Sequence, residues 1–102
     1  MSLDIAILGE NGTLKTLVSI GADDHYRLMQ LVNSRGGLLA RLKDYYADAE
    51  FEPSEMERLA VEVEDLISQS QNDDSLSSFL KAILGLTALA KSVQKPLIAI
   101  AD

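Results

Sequence analysis

Residues 3–20 read Leu3-Asp4-Ile5-Ala6-Ile7-Leu8-Gly9-Glu10-Asn11-Gly12-Thr13-Leu14-Lys15-Thr16-Leu17-Val18-Ser19-Ile20, and this stretch decides the fold class. Asn11-Gly12 is the favoured pair for a two-residue type I′ hairpin turn, because both central positions need φ > 0. With that turn, Glu10 faces Thr13, Ile7 faces Thr16, Ile5 faces Val18 and Leu3 faces Ile20. Leu3, Ile5, Ile7, Val18 and Ile20 then share one face, with Asp4, Lys15 and Ser19 on the other. Turn and alternation agree on a single register, so a hairpin with one apolar face is expected.

Outward from the hairpin, the period changes from two to about 3.6. Gly21 ends the strand, and Asp23 or Asp24 is placed to cap a helix running to about Ser34, with Leu28, Met29, Leu31 and Val32 as its stripe. Arg35-Gly36-Gly37 breaks it. Leu38, Leu39, Leu42, Tyr45, Tyr46 and Ala49 recur at spacings of three and four and predict a second helix. Pro53 and the box Ser54-Glu55-Met56-Glu57 start a third, whose stripe is Met56, Leu59, Ala60, Val63, Leu66 and Ile67. After the polar connector 69–74, Asp73 or Asp74 caps a fourth helix over 75–93. That helix is apolar almost all round, with one small or polar strip at Ser78, Lys81, Gly85, Ala88 and Ser92. Such a helix is central to a core or covered by another chain. Pro96 stops it, and Leu97-Ile98-Ala99-Ile100-Ala101 predicts a strand lying between other strands or covered on both faces. Pairing with the N-terminal strand would bring both ends into one sheet. The expected fold is α+β, in the order β-β-α-α-α-α-β: a hairpin and C-terminal strand in one small sheet against four helices.

The totals limit function. A chain of 102 residues fits one globular domain, 1–102, and its 47% apolar and 25% charged content suits a packed core rather than disorder. Without cysteine there is no disulfide, thiolate nucleophile or Cys-based metal site. The start lacks a basic n-region and its apolar run breaks at Gly9, so no signal peptide is expected. The longest apolar run, Phe79 to Ala90, carries Lys81 and falls short of the ~20 residues a membrane span needs. A soluble cytoplasmic protein is the expectation.

Charge is unevenly spread. The net of −7 conceals eleven acids and one base, Arg58, between Asp44 and Leu80, against five acids and eight bases elsewhere. A solvated helix face that aids solubility explains such a segment, and so does a docking face for a basic protein. Nucleic acid is disfavoured, since its phosphates would be repelled.

No catalytic signature is present. His25, the one imidazole, follows Asp23-Asp24 and would serve as a general base only with a nucleophile nearby; a first-turn helix role accounts for it equally. Asp44 and Asp48 share a helical face with Glu50 and Glu52 just beyond, but the calcium-loop spacing is missing. Of Tyr45 and Tyr46, one is expected in the core and the other at its edge, where an exposed tyrosine among acids makes an interface anchor. No phosphate-binding glycine loop occurs.

His25-Tyr26-Arg27-Leu28-Met29, the run from Leu42 to Phe51 (LKDYYADAEF), the Glu-rich helix and the closing Lys95-Pro96-Leu97-Ile98-Ala99-Ile100-Ala101-Asp102 together resemble small acidic bacterial proteins. Some of these are uncharacterised, and some look like immunity proteins that neutralise toxins. The resemblance spans about residues 23–102 and implies a non-catalytic protein that binds a basic partner without a cofactor. The leading expectation is an immunity-type inhibitor contacting a basic toxin through Asp44, Tyr45, Tyr46, Asp48, Glu50, Glu52, Glu57, Glu62, Glu64 and Asp65, with no metal and no membrane involved. The alternatives are a ligand-binding domain or enzyme with a cleft near His25 and Asp44–Glu52, and a structural homodimer joined through the last helix or a sheet edge.

Overall fold

The computed structural model describes residues 2–33 and 37–101. The expected helix end at Ser34 and the break at Arg35-Gly36 lie outside them. Strand β1, Leu3–Leu8, pairs antiparallel with β2, Leu14–Ile20, through Leu3↔Ile20, Asp4↔Ser19 and Ile5↔Val18. The turn has the left-handed residues expected of it, Asn11 at φ 61° and Gly12 at φ 75°, and the Thr13 N–H donates to the Glu10 carbonyl at 3.3 Å.

Near the turn the register departs from the expected one. Ile7 faces Lys15 rather than Thr16, and Leu8 faces Leu14. Between Ile5 and Ile7, the single residue Ala6 opposes both Thr16 and Leu17, a β-bulge. Because side chains alternate with period two, one extra residue exchanges the faces beyond it. Lys15 therefore comes to the Ile7 side of the sheet and Leu14 to the other, where it is exposed, as is Leu17.

Helix α1, Ala22–Asn33, starts two residues earlier than a cap at Asp23 would place it, with the His25 N–H on the Gly21 carbonyl at 2.9 Å. Asp23 and Asp24 sit in its first turn, where carboxylates suit the helix dipole. His25, Leu28, Met29 and Val32 are its buried face.

The expected second helix does not form, so three α-helices are present among the described residues rather than four. Leu38–Leu42 is a short 3₁₀ turn, introduced by Gly37 at φ 93°, ψ −166°. Two side chains redirect the backbone there. The Glu62 carboxylate accepts from the Leu38 and Leu39 N–H groups at 3.0 and 3.2 Å, and the Asp44 carboxylate accepts from the Tyr46 N–H at 2.9 Å. Local acceptors of this kind satisfy donors that a helix would otherwise use. The chain then runs into a strand that periodicity did not show, β3, Ala49–Phe51.

A 3₁₀ turn at Pro53–Glu55 leads to α2, Met56–Gln69. The reciprocal turn contact lies two residues before the expected Ser54/Glu57 box: the Glu52 N–H donates to Glu55 Oε1 at 2.9 Å. Helix α3, Asp74–Val93, is capped as expected, the Asp73 carboxylate accepting from the Leu76 N–H at 3.1 Å. At 20 residues it is long and apolar enough to cross a membrane by length and composition alone, longer than the run read from 79–90. Here it packs against α2 and the sheet, burying Leu76, Phe79, Leu80, Ile83, Leu86 and Ala90. Removing a buried leucine such as Leu80 to alanine costs about 2–5 kcal/mol. Its small or polar strip at Ser78, Lys81, Gly85, Ala88 and Ser92 is exposed.

Strand β4, Leu97–Ala101, lies between β1 and β3, antiparallel to both, in a four-stranded sheet of order β2-β1-β4-β3. Leu97 and Ala99 face the helices and are fully buried. Ile98 and Ile100 alternate with them and are half-buried on the other face. The architecture is α+β: one antiparallel sheet with its helices packed on one side.

Candidate protein-docking surface

The acidic segment is built around Tyr45 and Tyr46. The Tyr45 ring enters the core against His25, with centroids 5.0 Å apart, and its hydroxyl donates to the Ile20 carbonyl at 3.4 Å. It is buried and leaves the set of candidate contact residues. Tyr46 crosses its edge at 84°, with centroids 5.3 Å apart, and is 69% exposed. The expectation of one core and one edge tyrosine is met. The rigid neighbour beneath Tyr46 fixes its ring, which lowers the entropy lost on making an interface.

After Tyr46 the chain enters strand β3, where Glu50 is exposed and Phe51 is buried. The Arg41 guanidinium lies over the Phe51 ring at 5.5 Å, donates to the Glu50 carbonyl at 3.0 Å and forks onto both Glu55 oxygens. Arg41 thus grips the Glu50 backbone, and the Glu50 carboxylate meets that of Glu52. The Asp48 carboxylate accepts from the Ala101 N–H at 2.9 Å, tying the loop to β4. Among the described residues, no basic side chain pairs with Asp44, Asp48, Glu50 or Glu52.

The titration of these groups reports the local field. Hydrogen bonding to Glu50, with repulsion from the same carboxylate, holds the Glu52 carboxyl above the usual range. Glu55 is the opposite case: Arg41, and then the Glu52 N–H, bring it down to about 2. Beside the acids, Leu8, Asp48, Ala49, Glu50, Ile98, Ala99 and Ile100 line a shallow depression of ≈ 440 Å³. It has an aliphatic floor and an acidic rim, which suits a long side chain whose stem is apolar and whose head is cationic.

The remaining candidates divide. Glu62 caps the 38–42 turn and is half-buried there, so it is part of the fold. Glu57 is exposed but paired with Lys91, which lowers its carboxyl. Glu64 and Asp65 lie exposed on α2. The surface that remains is Asp44, Tyr46, Asp48, Glu50 and Glu52; the Asp65 carboxylate accepts from Gln69, and Glu64 lies beside α3.

His25 is 7% exposed, and its Nε2 lies against the Leu42 carbonyl. That contact requires Nε2 to donate, so the nitrogen is unavailable as a base. Arg41 and the aliphatic floor were not visible beforehand. Arg41 meets partners nine and fourteen residues away, and Ile98 and Ile100 became a floor only once β4 was placed between β1 and β3. Among the described residues, no group of three or more His, Asp or Glu side chains is gathered as for a metal ion. No protein-family model matches this chain, and neither a curated protein nor a solved structure matches it.

Proposed function

We propose that the protein is a non-catalytic interaction domain that docks a basic protein on the β3 edge, with Tyr46 as the anchor. One observation carries the reading: an exposed tyrosine seated on a buried one, in a segment whose exposed acids Asp44, Asp48, Glu50 and Glu52 are paired with no described basic side chain. A partner's lysine or arginine would neutralise the Glu50/Glu52 repulsion that the free surface sustains, and its aliphatic stem would cover Ile98 and Ile100. The concrete form is an immunity-type inhibitor acting in the cytoplasm, where occlusion of a basic toxin requires complementary charge and a few buried anchors, and no cofactor.

The test is affinity capture from the source cell with three baits: the wild-type chain, Tyr46→Ala, and the combined Asp48→Asn, Glu50→Gln, Glu52→Gln variant. A basic protein retained by the wild type, eluted by salt and lost from both variants is the expected result. Inhibition of that protein's toxicity would establish the immunity role. Equal retention by all three baits would refute the surface.

A homodimer is the second reading, and the other sheet edge favours it. Leu17, at 57% exposure, and Leu14 project from edge strand β2, an arrangement that invites strand pairing. Light scattering of Leu17→Lys beside the wild type decides between them, since only the wild type would dimerise.

A further inference from the structure

The hairpin tip and the last turns of α3 enclose a cleft of ≈ 570 Å³, lined chiefly by Ile7, Lys15, Leu89, Val93 and Lys95 together with the turn residues. It lies on the helix side of the sheet, away from the acidic β3 edge. Its volume falls within the range of small-molecule sites. The chain builds it through the bulge. In the regular hairpin, Lys15 would point to the open face; the extra residue opposite Ala6 turns it to the Ile7 side. Bulges commonly re-aim a side chain in this way next to functional sites.

Lys15 meets no carboxylate within ion-pair distance among the described residues. Lys95 has only Glu10, at 3.8 Å, on a side chain 84% exposed. Leu89 and Val93 leave much of their surface in water. The cleft therefore combines an aliphatic wall with two lysines against one acid, Glu10, in a protein whose net charge is −7. A simple inorganic anion would leave the wall wet, and a plain hydrocarbon would leave the lysines without a counter-charge.

We propose that this cleft binds a free medium-chain alkyl carboxylate. Its chain lies along Ile7, Leu89 and Val93, and its carboxylate bridges Lys15 and Lys95 as Glu10 swings to solvent. Burial of the chain supplies the driving force, and the charge-assisted hydrogen bonds fix its direction.

The test is titration of the full chain with decanoate, followed by amide NMR. Saturable shifts confined to residues 9–15 and 89–95 are expected. Decanol and butyrate should bind about tenfold more weakly or worse, each lacking one half of the recognition, and Lys15→Gln should weaken decanoate by about tenfold. Leu89→Asp should abolish binding, while Tyr46→Ala, outside the cleft, should leave it unchanged. Absence of saturable shifts, equal affinity for decanol, or indifference to Lys15→Gln would overturn the proposal. So would binding to phosphatidylglycerol vesicles without binding to decanoate, which would make the ligand a membrane surface.

Discussion

Replacing Gly37 by alanine tests the account of why the second helical pattern fails to become a helix. At φ 93°, ψ −166°, Gly37 occupies a region open essentially to glycine alone, and a side chain there costs on the order of 1–3 kcal/mol. The added Cβ would also stand 2.7 Å from Glu62 Oε1 and 2.9 Å from its Cδ. The carboxylate must retreat, and the Leu38 and Leu39 N–H groups lose a charged acceptor, a further loss of about 1–3 kcal/mol for half-buried donors. The sum is about 2–6 kcal/mol, centred at about 4 kcal/mol. At about 4 kcal/mol, for a domain of this size, that is a fall in Tm of roughly 16–32 °C, or a urea midpoint lower by roughly 1.3–4 M at constant m. Chemical unfolding followed by circular dichroism measures it. The clash and the lost acceptor both act through Glu62, so Gly37→Ala combined with Glu62→Ala should cost less than the two single changes together. A Gly37→Ala protein within about 0.5 kcal/mol of wild type would refute the reasoning.

Gly85→Ala has the opposite sign. It lies exposed within α3 with no atom within 4 Å of its added Cβ, so stability should rise by about 0.5–1 kcal/mol in the same unfolding assay. Glu55 is held at about 2, below its ordinary 4.5, so its contribution is present above pH 4.5 and disappears as pH falls toward 2. Urea midpoints between pH 7 and pH 2 should show that loss, no more than about 1 kcal/mol for so exposed a pair, and Glu55→Gln should flatten it. The tyrosines separate fold from surface. Tyr45→Ala should cost about 3–5 kcal/mol, and Tyr46→Ala should stay within about 0.5 kcal/mol while removing partner capture.

Local chemistry carried much of the fold into plain view. Asn11-Gly12 marked the turn because few residues tolerate positive φ twice in succession. Asp73 marked the start of α3, and the runs 56–69 and 74–93 had the 3.6-residue period that makes an amphipathic or central helix. The misreading at 38–49 has a definite cause. Leucine and tyrosine at spacings of three and four describe a helix, but the acceptors that stop it sit elsewhere. Glu62 is more than twenty residues away, and the pairing of β3 with β4 joins segments nearly fifty residues apart. Neither leaves a trace in a local period.

The candidate surface was partly legible in the same way. Composition located the acidic segment, since charge needs no geometry to be counted. Which acids face a partner depended on contacts: Glu62 is taken by two backbone donors, Glu57 by Lys91 and Glu55 by Arg41, while Glu50 and Glu52 are left facing each other. The tyrosine pair shows the limit most simply, because two identical neighbours became core and surface according to the direction of one turn.

By itself, the sequence determined the hairpin, the three helices that form, the capped start of α3 and the concentration of negative charge in one segment. Each follows from local propensity, periodicity or counting. Tertiary structure alone decided the bulge that carries Lys15 across the sheet, the conversion of 38–51 into a 3₁₀ turn and an edge strand, and the seating of Tyr46 on Tyr45. Those outcomes rest on groups brought together from distant positions, where satisfying buried donors and filling the core outweigh what the neighbouring residues prefer.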